Sequence, residues 1–123
     1  MLRELAQTSK FCIMVDNEET QGLAALEIMA CGCPIFCIDK KSYIRDNLMM
    51  SGSVTSICSW SDECGMKSTE EKWQEDFPIF LKNIKTYNPA KFVHERYSFA
   101  AAAVTMLAIS SQIMKKELLT RSQ

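Results

Sequence analysis

Two short apolar runs, Phe11–Val15 (FCIMV) and Ile35–Ile38 (IFCI), flank one helix-forming segment, Gly22–Cys31 (GLAALEIMAC). Continuous apolar runs of this length suit strands buried on both faces. The segment between them is rich in Ala, Leu and Met, which favour helix. Gly32 stands where a left-handed residue closes a helix, and Pro34 prevents continuation. Strand, helix and strand in this order form a βαβ unit, which demands a parallel sheet with a right-handed crossover. The loop Asp16–Gln21 follows the first strand, so it falls at the carboxyl edge, where open α/β sheets place their ligands.

The rest of the chain extends this plan. Leu2–Ser9 reads as the end of a preceding helix. Tyr43–Met49 suggests a short helix, Val54–Cys58 a third strand, and Ser59–Lys67 a loop. Ser68 followed by Glu71 has the spacing of a capping box. It would open a helix with Trp73, Phe77, Phe80, Leu81 and Ile84 along one stripe. Asn88-Pro89 is a cap followed by proline at the first helical position, and Ser98 caps a last helix, Phe99–Leu119. The expected fold class is therefore α/β: a Rossmann-like parallel sheet with flanking helices, ending in two or three helices. No repeat or linker divides residues 1–123, which read as one domain.

Composition narrows the function classes. With a net charge of −1 and interspersed charges, the chain has no basic field for nucleic acid or anionic lipid. The six cysteines form no C-x-x-C pair, and His94 is far from all of them, so no metal site is expected. Four lie in apolar runs and read as buried reduced thiols, which fits a reducing cytoplasm. No apolar leader opens the chain, and the run Phe99–Ile109, interrupted by Thr105, is too short to span a bilayer. A soluble cytoplasmic protein with no transmembrane segment is expected.

The chemistry concentrates at Glu19–Glu27. A loop entering a helix at Gly22 leaves unpaired backbone N–H groups and aims the positive end of the helix dipole at the loop, a ready diphosphate site. Glu27 stands alone among Leu23, Ala24, Ala25, Leu26, Ile28, Met29 and Ala30. Such a carboxylate either lies on a solvated stripe or is buried with partners, and ribose hydroxyls would be suitable ones. Spacing alone leaves both readings open. Glu19 could equally be an ordinary helix-start acid, and Glu27 the polar face of an amphipathic helix. A nicotinamide-type site lacks support, because no G-x-G-x-x-G follows a strand.

The run from Glu19 to Ile35 resembles the E-G-F-G-L-x-x-L-E-A-M-A-x-G-x-P-V motif of retaining glycosyltransferases of GT-B fold (glycosyltransferase group 1, family 4). Gly22, Leu23, Leu26, Glu27, Met29, Ala30, Gly32 and Pro34 fall in place. Tyr87–Phe99 looks more loosely like the closing helices of the same domain. The resemblance implies a donor-binding portion that helps transfer a hexose from a nucleotide diphosphate sugar, such as a UDP- or GDP-hexose, with retention and without a metal or other cofactor. It implies that Glu19, Gln21 and Gly22 meet the donor sugar. It also implies that Leu23 and Glu27 meet the nucleotide, Glu27 through the ribose hydroxyls. Thr20 and Gln21 replace the usual Gly and Phe, and Asp39–Asp46 replaces a glycine-rich stretch with Pro-Glu. The family's N-terminal acceptor domain has no counterpart here. The expected partners are a nucleotide sugar and either that missing domain or a self-association partner meeting the apolar start of the last helix (Phe99, Val104, Met106, Leu107). The alternative is a catalytically incomplete remnant or interaction module that binds no donor.

Overall fold

In a computed structural model the described residues are 1–15, 22–54, 57 and 59–122. Helix α1 (Leu2–Thr8) leads into strand β1 (Cys12–Met14), and helix α2 (Leu23–Ala30) into strand β2 (Ile35–Arg45). Strands β3 (Leu48–Val54) and β4 (Gly65–Thr69) follow, then helices α3 (Trp73–Lys82), α4 (Pro89–Tyr97) and α5 (Phe99–Arg121). The chain is thus mixed α/β, with β2 central. Strands β1 and β4 pair with it in parallel, with Cys12 opposite Ile35 and Ile35 opposite Gly65.

The βαβ unit forms where expected. Gly32 adopts a left-handed φ of 81° just past α2, and its N–H donates to the Met29 carbonyl. Ile35, Phe36 and Cys37 are buried. On one face of the sheet, Cys33, Ile35, Cys37 and Cys64 pack with Ala25, Ile28 and Met29 of α2, Phe92 of α4 and Ala6 of α1. On the other, Phe36 meets Phe77 and Phe80 of α3 at ring-centroid distances of 5.2 and 5.3 Å. Phe11 and Tyr87 close this aromatic cluster against Phe80. Strand β1 departs from the expectation of burial on both faces, since Ile13 and Val15 are exposed.

Three other expectations are corrected. Tyr43–Met49 is not a helix. Its first half is the end of β2 and its second half the start of β3, joined at Asp46-Asn47, whose φ angles of 51° and 63° are those of a two-residue hairpin turn. The third parallel strand is β4, not Val54–Cys58. Val54 ends β3, while Thr55, Ser56 and Cys58 lie outside the described residues. Ser68 does not cap a helix. It lies in β4, and its hydroxyl donates to the Asp76 carboxylate at 2.7 Å, tying strand to helix. Helix α3 begins later, at Trp73, without a side-chain cap.

The closing helices begin as expected. The Asn88 side chain accepts from the Lys91 N–H at 3.3 Å, with Pro89 first in the helix. The Ser98 hydroxyl accepts from the Ala101 N–H at 3.1 Å. Helix α5 is longer than its apolar core and has no buried residue. The helical stretch Ile84–Arg121 is long and apolar enough, by length and composition alone, to cross a membrane.

The described cysteines are free thiols: Cys33, Cys37 and Cys64 are buried, Cys12 and Cys31 half-buried. Burial pushes the Cys33 thiol up to about 11, with repulsion from Cys12 and Cys31 adding to it. The unfolded chain therefore ionises this thiol first. Cys33 should leave stability unchanged below pH 9.0 and subtract from it as the pH rises toward about 11. Denaturant titrations at neutral and alkaline pH check this, and an equal alkaline loss in Cys33→Ala would assign the effect to another group.

Candidate functional site

The carboxyl edge of the parallel sheet is the natural place for a ligand. Strand β1 ends there at Met14, and α2 begins at Leu23 with Gly22 as its cap. Gly22 is left-handed (φ 69°, ψ 37°), a conformation that suits glycine. It caps α2 without a side-chain hydrogen bond, and the first turn carries no acidic residue. The opening amides of α2 can therefore receive an anion. Leu23 is exposed beside them.

Glu27 lies one turn further on and is exposed. It lines a hollow of about 380 Å³ with Ala30 and Cys31 of the same stretch and with Arg3 and Gln7 from α1. Glu27 thus shares this hollow with one cationic and one amide side chain. The rise from Gly22 to Glu27 is about 7–8 Å, which suits a ligand with diphosphate and ribose in series. The structure places Gly22, Leu23 and Glu27 on one helix. Glu19 and Gln21 lie outside the described residues.

Arg3 and Gln7 were not legible as neighbours of Glu27. They belong to a helix separated from it in sequence by β1, and only tertiary packing joins them. A second group also emerges only in the fold. Asp39 of β2 and Lys67 of β4 meet across the sheet, with 3.7 Å between charged atoms. The Lys67 ammonium also donates to the Ile57 carbonyl at 2.9 Å and lies over the Trp60 ring. The Cys37 thiol is 3.4 Å from the other Asp39 oxygen. The Lys67 contacts tie Ile57 and Trp60 to the sheet. Among the described residues, no three His, Cys, Asp or Glu side chains are grouped to hold a metal ion.

Comparisons with protein-family models, with curated proteins and with solved structures return no match for this chain.

Proposed function

We propose that this chain is the donor-binding portion of a retaining GT-B glycosyltransferase of group 1, family 4, acting on a nucleotide diphosphate hexose. The observation that carries the reading is the strand–helix–strand unit in which α2 opens at a left-handed Gly22 and sets a solvent-exposed Glu27 about one turn in. In this reading the α2 amides receive the diphosphate and stabilise its charge as it departs. Glu27 accepts hydrogen bonds from the ribose hydroxyls, and Leu23 packs beside the ribose. Glu19 and Gln21, with the Gly22 backbone, face the sugar. An acceptor-binding domain would complete the enzyme, and the compartment would be the cytoplasm, where such thiols stay reduced.

Calorimetric titration with UDP-glucose and GDP-mannose tests the reading. The chain should bind one of them, and Glu27→Ala should weaken that binding by about tenfold or more, the worth of charge-assisted hydrogen bonds. Unchanged affinity in Glu27→Ala would remove the role given to that residue. No binding by the wild type would favour the second reading, an interaction module without a donor. The observation behind that alternative is the bare surface of α5, where Phe99, Val104, Met106 and Leu107 are all exposed.

A further inference from the structure

Among the described α-helices, α5 alone has no buried residue. Its apolar side chains are not confined to one face. At about 100° per residue, Phe99, Leu107, Leu119 and Ile109 fall on four different sides of the axis, and all four are exposed. The side between Val104 and Ile109 carries Ala101, Thr105, Ala108 and Gln112, and no charge. A protein partner covers the apolar stripe along one face of a helix, whereas a helix apolar all round belongs inside a large core or a membrane.

Length, hydrogen bonding and charge favour the membrane. The apolar run Phe99–Ile109 does not end the uncharged helix, because Ser110, Ser111 and Gln112 continue it to Met114. At 1.5 Å per residue Phe99–Met114 extends about 24 Å, close to the roughly 30 Å of a hydrocarbon layer. The Thr105 hydroxyl donates to the Ala101 carbonyl at 3.0 Å, so it brings no unpaired donor into that layer. Cations border the segment, Arg96 before it and Lys115 and Lys116 after it. Beyond Met114, Lys115, Lys116 and Arg121 face a single anion, Glu117, although the whole chain has a net charge of −1. This end of α5 is therefore complementary to anionic headgroups.

We propose that α5 inserts into an anionic lipid bilayer, with Phe99–Met114 in the hydrocarbon and Lys115, Lys116 and Arg121 among the headgroups. The long lysine and arginine stems let those charges reach the headgroups while the helix body stays in the apolar layer. An interfacial helix lying flat needs a charged face opposite its apolar one, and α5 has no such face over Phe99–Met114. The α/β fold before Ser98 would then be held at the membrane surface. The inference uses neither Gly22 nor Glu27, so it stands apart from the donor reading.

Flotation of the whole chain with lipid vesicles tests the proposal. The wild type should float with mixed phosphatidylcholine–phosphatidylserine vesicles. Leu107→Lys and Ile109→Lys, on nearly opposite sides of the helix, should each lower the bound fraction at least about tenfold, the effect of a charge in the hydrocarbon. Both residues are exposed, so the fold should persist, and circular dichroism checks that it does. The double variant Lys115→Gln/Lys116→Gln should bind mixed vesicles about tenfold more weakly and pure phosphatidylcholine vesicles as the wild type does. A wild type that stays in the aqueous fraction with both lipids would overturn the proposal, whether it is then monomeric or self-associated. So would a loss confined to one of the two lysine variants, which marks a one-sided protein contact, or a double variant that binds mixed vesicles as tightly as the wild type.

Discussion

Gly65→Ala should abolish the native fold or cost it at least about 4 kcal/mol, the range reserved for a severe local clash. Gly65 opens β4 beside Ile35, the first pair of the ladder between β2 and β4. Its φ of 147° lies in a region that L side chains rarely adopt. A Cβ placed there would come within 1.9 Å of the Ile35 carbonyl oxygen and 2.9 Å of its carbon and nitrogen. The obstacle is the backbone of a buried strand, so no side-chain rotation relieves it. Domains of this size hold about 5–15 kcal/mol in all, and a loss this large leaves a small or negative remainder. Urea unfolding followed by far-ultraviolet circular dichroism measures it. An alanine variant within about 1 kcal/mol of the wild type would show that β4 can move off β2 without harm.

Phe80→Ala is expected to cost about 3–5 kcal/mol through lost burial and the cavity left behind. Phe80 is fully buried. Its ring lies 5.8 Å from Phe11, 5.3 Å from Phe36 and 5.4 Å from Tyr87. These partners come from before β1, from β2 and from beyond α3, so the ring ties three parts of the chain together. Phe80→Leu keeps more volume and should cost less than about 1.5 kcal/mol. Phe99→Ala is the contrasting case, since Phe99 is 96% exposed and should change stability by less than about 0.5 kcal/mol. A Phe80→Ala loss no larger than that of Phe99→Ala would mean the aromatic cluster contributes little to the fold.

The parts of the fold that showed in the sequence were those whose pattern is local. FCIMV and IFCI, with Gly32 and Pro34 as punctuation, announce the βαβ unit because burial on the sheet demands such runs. Asn88-Pro89 and Ser98 announce their helices because the caps use adjacent residues. The hairpin was hidden because Lys40–Met49 mixes charged, aromatic and apolar residues with helical as well as strand character. Only the left-handed pair Asp46-Asn47 decides between them. Strand β4 was hidden for another reason. Met66, Lys67 and Ser68 form no apolar run, because Lys67 and Ser68 serve as anchors to Asp39 and Asp76. The Ser68–Glu71 spacing then imitated a helix start. At the candidate site, Gly22, Leu23 and Glu27 were legible from one helix, whereas their neighbours on α1 required the packed fold.

Strand β2 belongs to two ladders at once. Its first half, Ile35–Asp39, is paired with β4, and its second half, from Lys40 on, pairs antiparallel with β3, with a register shift inside that second ladder between Lys40 and Ser42. Register in the inner half is fixed by the buried Ile35, Phe36 and Cys37. Register in the outer half is fixed by the Asp46-Asn47 turn. The two halves therefore differ in how they tolerate changes in chain length. Residues added symmetrically about the turn would lengthen an exposed arm and leave the core as it is. A single residue added before Asp39 would move every following side chain of the inner strand to the wrong side of the sheet.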